Sequence, residues 1–420
     1  MEKQEYRPTL VVGGGISGIT AAVEIAEVGN EVILIEKEAY LGGNVVRMNN
    51  YFPKLCPPAC GLEINFRRIR QNPRITVYTS TKATGIKGTK GDYKVTLWQK
   101  PKYIKDTCTA CGKCAEVCPA EVPDAFNYNL NVRKAAYLPH DMTFPLKYHI
   151  DDISCLKEAC AKCVEVCQYD AIDLSAVENE YQVEVSAIIL TTGWKNYDAS
   201  KIELLNYANH KNVVTNVEFE RLIAPGGVNK GKLLRPSDNE LPKRIAFVQC
   251  AGSRDENHLP YCSAVCCSAS LKHALTIQEK YPDTRIKIFY IDLRVTGRNE
   301  DFLTKVMEND NIDLIKGKVA CIEEIAESKN LIVEAEDIMA GRKTREEVDL
   351  VVLATGIIPS GTDFNTDRDP AGFMLEEQSS GFIPAGCSKK PMDVSSCVKD
   401  ATAAALRAIQ HVESGRQSIT

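Results

Sequence analysis

The sequence predicts an α/β fold of two dinucleotide-type strand–helix–strand domains, with a small α+β domain inserted into the first. Three observations predict it. A glycine-rich turn, "VVGGGISG" (Val11 to Gly18), stands between an apolar strand and an amphipathic helix. A second strand–loop–helix–strand segment runs from "RIAFVQC" to "RIKIFYID". Between the two lie a pair of closely spaced cysteine runs, "CTACGKCAEVCP" and "CLKEACAKCVEVCQ".

The first element is the turn itself. Gly13, Gly15 and Gly18 hold the three glycine places of GxGxxG: a tight turn, close backbone approach to a pyrophosphate, and close helix–strand packing. The helix that begins around Ser17 would meet the phosphates with free N–H groups and the positive end of its dipole. Glu36, followed by Lys37, ends the second strand, where a carboxylate can accept hydrogen bonds from ribose hydroxyls. A purely structural glycine turn is the competing reading; the flanking strand, helix and Glu36 in register argue for a dinucleotide. "EKEAYLGGN" then supplies Gly42 and Gly43, and "IILTTG" and "VVLATG" each run an apolar strand into a Thr-Gly turn, at Thr192–Gly193 and Thr355–Gly356.

These features resemble the FAD domain of the two-dinucleotide-fold flavoproteins, the thioredoxin reductase and glutathione reductase superfamily. The resemblance implies FAD, and a thioredoxin reductase-like fold with residues 1–102, 177–242 (with a linker) and 346–420 in the FAD-binding domain. The second Rossmann-like domain is expected at 243–345. Its loop has a single glycine, Gly252, where a nicotinamide fingerprint would need three, and cysteines stand there instead.

The insert, expected at 103–176, carries the strongest motif. Cys108, Cys111, Cys114, Cys118 and Pro119 match CxxCxxCxxxCP, and four thiolates within so short a loop suit a [4Fe-4S] cluster. In the second run Cys155 and Cys160 are separated by four residues, and Gln168 replaces the proline. Since the fourth cysteine of each run serves the other cluster in two-cluster ferredoxins, one cluster would take Cys108, Cys111, Cys114 and Cys167. The other would take Cys155, Cys160, Cys163 and Cys118. Structural zinc is the alternative. "YKVTLW" before the insert and "YQVEVSAIILTTG" after it read as strands of the FAD domain, so the ferredoxin-like domain fills an excursion of a hairpin. From residue 104 to 176 there are eleven acidic and seven basic side chains. That balance suits docking on a basic partner face, and equally a solvated acidic surface.

Seventeen cysteines are present in all. Cys250, Cys262, Cys266 and Cys267 form the pattern C-x11-C-x3-CC, with three thiols near a helix start and the fourth at a strand end. A third, irregular cluster is the sharper reading; buried small side chains or a resting disulfide are the plainer ones. Cys56 and Cys60 in "CPPAC" lie roughly where disulfide reductases of the superfamily carry a CxxxxC. They are a candidate redox pair, with an interface role or simple packing as alternatives. Cys321, Cys387 and Cys397 are left over.

"VVGGGISG", the insert and "VQCAGSRDENHLPYCSAVCC" together resemble the A subunits of heterodisulfide reductases, over essentially the whole chain. The late segment "GFIPAGCSKKPMDVSSCVKDATAAALRA" is similar to that family's terminal flavin-contacting segment and adds Gly386 and Asp393 to the FAD contacts. The resemblance implies two [4Fe-4S] clusters in the insert and the third at the Cys250 set. It also implies a chain that starts at the flavin domain and stops after it. "CPPACGLEINFRRIRQNP", "LLRPSDNELP" and the short length look most like the A component of the quinone-interacting membrane-bound oxidoreductase, the Qmo complex. That subfamily implies an oxidoreductase subunit exchanging electrons between menaquinone and adenylylsulfate (APS) reductase in dissimilatory sulfur metabolism. The implied partners are a second protein with flavin and iron–sulfur centres, a quinone-binding membrane protein and APS reductase. A soluble heterodisulfide reductase-like complex, bifurcating or sulfur-oxidising, is the alternative. A self-contained disulfide reductase using Cys56 and Cys60, or a scaffold with degenerate sites, fits the cysteine runs less well.

Composition agrees with a folded, water-soluble chain: 44% of residues are hydrophobic and 25% charged. A net charge of −5 gives no footprint for nucleic acid. No apolar run approaches the roughly 20 residues of a membrane helix, and "MEKQEYRPTL" has no leader-like apolar core. The expectation is a cytoplasmic protein, peripheral on the inner face of the membrane through its partners.

Overall fold

The computed structural model describes residues 7–361 and 363–417; the first six residues, read above for a leader, lie outside them. The chain opens with β1 (Thr9–Val12), α1 (Ile16–Glu27), β2 (Val32–Ile35), α2 (Pro58–Gln71) and β3 (Ile75–Tyr78). β1 is buried along its whole length, and its "TLVV" run has no polar alternation because both faces are covered: Val11 packs among helix residues, Leu10 and Val12 against Tyr93, Val95 and Leu97 of the next strand pair. α1 is equally enclosed, and Ala21, Ala22 and Ala26 form part of its buried surface.

β4 (Thr81–Thr89) and β5 (Asp92–Gln99) then form an antiparallel pair whose alternating burial, clearest in β5, marks a sheet with one wet face. The insert leaves after Gln99 and the chain returns at Asn179, which is paired with Gln99 itself. Its neck is closed by Lys105 N–H to Ala171 C=O and Asp173 N–H to Tyr103 C=O. Within it lie α3 (Lys113–Glu116), β6 (Glu121–Pro123), β7 (Val132–Lys134), β8 (Ala136–Tyr137), β9 (His149–Ile150) and α4 (Lys162–Glu165). β6 pairs with β7 and β8 with β9. The insert is tied to the first domain by Leu41 N–H to Phe144 C=O at 2.9 Å and by the stacking of Phe66 on Phe144.

After β10 (Asn179–Val185), β11 (Ala187–Leu190) returns to the first sheet and pairs parallel with β1. There follow β12 (Trp194–Asn196), β13 (Val213–Thr215), α5 (Asn216–Ile223), β14 (Arg244–Ala251), α6 (Cys266–Lys280), β15 (Arg285–Tyr290), α7 (Glu300–Met307) and β16 (Ile312–Lys316). An antiparallel meander, β17 (Val319–Glu324), β18 (Leu331–Asp337) and β19 (Arg342–Val348), leads into β20 (Leu350–Thr355) and β21 (Ile357–Pro359). β22 (Ile383–Pro384) and α8 (Val394–Gln417) complete the first domain, with strand order β22-β11-β1-β2-β3.

The second parallel sheet has the order β13-β20-β14-β15-β16. This differs from the expected limits of 243–345, which leave β13 and β20 outside. Both pair into this sheet, with Val213 opposite Val351 and Ala246 opposite Val351 from the other side. The apolar runs "AIILTTG" and "LVVLATG" are interchangeable as sequence, and only their hydrogen-bond partners assign one to each sheet. β12 and β21 pair with each other as the double connection between the domains.

In the first core Ala21, Ala22 and Ala26 lie together with Ala401, Ala404, Ala405 and Ala408 of α8. Small side chains let the two helices approach closely, which fixes α8 and the turn before it against the N-terminus of α1.

Candidate functional site

A cavity of about 730 Å³ lies between the two sheets, a size that suits a bound organic cofactor. Its floor is the turn after β1. Gly13 has φ of +109°, and a Cβ there would stand 2.4 Å from the Thr191 carbonyl oxygen. A Cβ on Gly18 would stand 1.8 Å from the Gly13 carbonyl oxygen, so this glycine serves packing and does not line the cavity. Gly15 is different: a Cβ would meet no protein atom nearer than 3.9 Å, because its open side is the cavity. Gly15 is also the N-cap of α1 and offers no side-chain cap, so the first N–H groups of the helix are left for a ligand.

Ser17, Glu36, Lys37, Gly43, Thr192, Gly193 and Asp393 all line the cavity, as does Thr355 from the second sheet. The Glu36 carboxylate accepts from Gly14 N–H at 2.6 Å and Glu38 N–H at 2.9 Å, and its burial pushes its pKa up. Three other expected contacts stand behind the wall. Gly42 gives its N–H to the Gly14 carbonyl oxygen; Gly356 is packed so that a Cβ would meet Ser253 and Leu259 at 2.5 Å; and a Cβ on Gly386 would strike Ser17 Oγ. Asp393 directs its carboxylate to the start of α8, accepting from Ser396 N–H at 2.8 Å. The sequence reading takes all four positions as cofactor contacts; the structure puts Asp393 in the cavity lining and Gly42, Gly356 and Gly386 outside it.

Several lining residues carry no local motif. Arg47 donates to the Tyr40 hydroxyl at 3.0 Å and lies against the ring of Tyr128, which reaches in from the insert. Its Nε is buried without a protein partner, and Arg47 lines the same cavity as the free N-terminus of α1. Opposite, Glu220 of α5 meets Lys272 and His273 of α6, with His273 Nε2 at 2.8 Å. Burial alone would raise the Glu220 pKa. Attraction to Lys272 and His273 outweighs it and holds the carboxyl well below its usual range. Lys272 also donates to the Asn50 carbonyl oxygen at 2.8 Å. The open N-terminus, the orphaned Arg47 donor, the carboxylate at the second strand and the cavity volume all fit a dinucleotide with an anionic middle.

The Cys250 set stands directly behind this wall. Cys250 occupies a bulge of β14 with φ of +57°, which turns its thiol away from the strand's regular alternation. Cys266 and Cys267 open α6, and Cys262 arrives from the loop before it, its sulfur accepting from Ala264 N–H at 3.4 Å. The four thiols feel one another: burial first, then Cys267, Cys250 and Cys262, push the Cys266 pKa up. Cys266 belongs to this quartet and to the cavity lining at once.

In the insert, Cys118, Cys155, Cys160 and Cys163 line one small cavity together. Cys118 is thus among the sulfurs of the second run. Cys108, Cys114 and Cys167 share an apolar cluster with Ile104, Ile172 and Leu174, and Cys155 and Cys163 belong to the same cluster. Burial and then Cys108 raise the Cys114 pKa to about 12. Such thiols ionise as a group only if a metal supplies positive charge. The two runs share one local shape: Gly112 (φ +89°) and Ala161 (φ +45°) both start a four-residue helix from the left-handed region. That conformation costs the alanine of the second run more than the glycine of the first. Among the described residues no three His, Cys, Asp or Glu side chains are gathered for a single metal ion; the quartets are open arrangements.

Cys56 and Cys60 do not reach the cavity. Cys60 is exposed at the start of α2, and the Cys56 thiol donates to the Lys54 carbonyl oxygen at 3.5 Å.

Comparison with known proteins decides the family. An FAD-dependent oxidoreductase family model matches residues 9–56, and a 4Fe-4S binding domain model matches residues 101–124. The chain is 40% identical over 428 residues to the second of the iron–sulfur A subunits of CoB–CoM heterodisulfide reductase in Methanopyrus kandleri, covering 98% of this chain and 65% of that protein. It is 35% identical to the A component of the H2:CoB-CoM heterodisulfide,ferredoxin reductase of Methanothermobacter marburgensis, covering 95% and 63%. The chain belongs to the family of heterodisulfide reductase A subunits. It spans a little under two thirds of the length of these relatives. The fold is that of the thioredoxin reductases of Lactococcus lactis and T. acidophilum, each 14% identical with a TM-score of 0.53. Those alignments cover 97% and 99% of this chain and 99% of either reductase. The chain joins an FAD oxidoreductase domain to a 4Fe-4S domain. No described helix is long and apolar enough to cross a membrane.

Proposed function

We propose that the chain is the FAD-carrying and iron–sulfur-carrying electron-transfer component of a heterodisulfide reductase-like complex. One observation carries the reading: Cys266 is at once a member of the Cys250 quartet and a lining residue of the large cavity. A cluster on that quartet and a flavin in that cavity would share a wall, and short separations are what single-electron transfer requires.

In this reading Gly15 and the N-terminus of α1 hold the pyrophosphate, Glu36 takes the ribose, and Arg47 Nε supplies a donor to the anionic middle of the cofactor. Bound FAD supplies the exchange between two-electron and one-electron chemistry. Lys272, fixed by Glu220 and the Asn50 carbonyl, presents its ammonium protons to the cavity from the side of the quartet. The walls from α5, α6 and the insert keep bulk water from the ring. Cys108, Cys111, Cys114 and Cys167 hold one insert cluster, and Cys155, Cys160, Cys163 and Cys118 hold the other. The rigid neck at Gln99–Asn179 keeps both at a fixed distance from the cavity.

The finer reading is a Qmo-type complex passing electrons between menaquinone and APS reductase, through a second protein with flavin and iron–sulfur centres and a quinone-binding membrane protein. "CPPACGLEINFRRIRQNP" and "LLRPSDNELP" support it. Self-contained disulfide reduction by Cys56 and Cys60 is disfavoured by their absence from the cavity lining.

Anaerobic purification followed by iron, sulfide and flavin analysis tests the first statement: about twelve irons and one FAD per chain are expected. About eight irons would return one quartet to another role. The finer reading is tested by adding a menaquinol analogue to the chain with its co-purifying partners. Flavin bleaching that APS reductase together with adenylylsulfate then reverses is the expected result; reoxidation by a thiol heterodisulfide instead would give the complex to the alternative.

A further inference from the structure

Two cysteines outside the three quartets meet inside the cavity wall. Cys387 sits in the turn after β22, and Cys397 one turn into α8; their sulfurs are 3.6 Å apart and each residue is 5% exposed. Both line the large cavity, on the side of Ser17 and the N-terminus of α1. The segment between them is held firmly. The Gly386 N–H goes to Asp400 at 2.7 Å, Lys389 Nζ to Asp400 at 2.8 Å, and Cys397 N–H to the Asp393 carbonyl oxygen at 2.9 Å. The two sulfurs are therefore kept in contact by a backbone that cannot easily separate them, yet no structural disulfide joins them.

We propose that Cys387 and Cys397 form a reversible dithiol–disulfide couple, closed by exchange with a low-molecular-weight disulfide when the cavity is open and shielded when flavin covers that wall. Exchange begins at Cys387. Either sulfur can donate to the other across their 3.6 Å contact, so once Cys387 loses its proton the Cys397 thiol is placed to donate to the thiolate. The Cys387 thiolate attacks one sulfur of the disulfide R–S–S–R, forming a mixed disulfide and releasing one thiolate. Cys397, giving up its proton to that thiolate, attacks the Cys387 sulfur and releases the second. The balance is two protein thiols and one R–S–S–R to one protein disulfide and two R–SH. A dithiol reductant reverses it. The closed bond would tie the turn after β22 to the first turn of α8 at the pocket wall, a mark carried by the flavin-free chain. The shielding half of the proposal rests on the flavin reading of the cavity.

The test uses the full chain in two forms, as purified with flavin and after flavin removal, both with cluster iron verified and both treated anaerobically with oxidised glutathione. After denaturation, free thiols are alkylated and the chain is digested with trypsin, which places Cys387 and Cys397 on separate peptides by cleavage after Lys389. A linked Cys387–Cys397 pair that forms in the flavin-free chain, is abolished by dithiothreitol and is at least tenfold less abundant with flavin bound is the expected result. In Cys397→Ser, Cys387 should instead carry glutathione. Two free thiols in the oxidised flavin-free chain overturn the proposal, as does equal linkage with and without flavin, or scrambled linkage of Cys387 to quartet cysteines. Failure of the flavin reading would show separately, as purified chain without flavin absorbance.

Discussion

Glu220, Lys272 and His273 show how much one buried carboxylate can organise. The three residues are nearly closed to solvent and come from α5 and α6, with one Glu220 oxygen serving both partners. Removing a partner leaves buried charge uncompensated, so Lys272→Met should destabilise the chain by about 3–5 kcal/mol. Adding Glu220→Gln should restore most of the loss, and thermal unfolding of the single and double variants measures both. Two half-buried histidines set a pH dependence. Burial, reinforced by nearby Arg221 and Arg47 at His140 and by Lys147 and Arg133 at His149, lowers both pKa values to about 4. The unfolded chain therefore binds protons that the folded chain refuses between about pH 6.5 and 4. Stability falls as pH drops through that window, by at most about 1.4 kcal/mol per pH unit for each histidine. Replacing both by Gln should flatten the slope of melting temperature against pH between 7 and 5. None of these residues belongs to a motif; Lys272 and His273 announce themselves only as polar residues beside the buried Leu271 and Ala274 of "SLKHAL".

At the level of the element, the turn from β1 into α1 separates two jobs that GxGxxG merges. Gly15→Ala places a methyl group in the cavity and against nothing else. It should weaken flavin retention strongly while leaving the melting temperature of the flavin-free chain within about 1 °C, a change of a few tenths of a kcal/mol at this size. Gly18→Ala drives a methyl group into the Gly13 carbonyl. It should lower stability by about 1–3 kcal/mol even without flavin, as overpacking does. Flavin absorbance and melting of the two variants, side by side, check the distinction. The same turn was fully legible, since its chemistry is local: strand, glycines, helix and Glu36 follow one another within 28 residues from Thr9 to Glu36. β20 was not. Its six residues read as a buried parallel strand, and which sheet accepted them depended on pairing with β13 and β14 far away in sequence.

Across the whole molecule, the cysteine runs of the insert stand apart from the large cavity, whereas the Cys250 set shares Cys266 with it, so a ligand change in the insert should leave the flavin site intact. Cys111→Ala is expected to lower iron by about four per chain with one FAD retained, read by iron and flavin analysis. Unchanged iron would remove Cys111 from the ligand set. The boundaries of these modules follow one rule. By itself the sequence determined the glycine turn, the regular Cys108 run and its irregular counterpart at Cys155, the place of the insert in a hairpin and the family, because each depends on residues close together in the chain with a fixed geometric purpose. Only the tertiary structure decided that Cys266 faces the cavity, that Cys56 and Cys60 do not, that Glu220 meets Lys272, and that Cys387 touches Cys397 within the wall. Those contacts are set by the packing of α6 and α8 against two separate sheets. A side chain's neighbours across such an interface depend on which face its helix turns inward, and no local pattern encodes that.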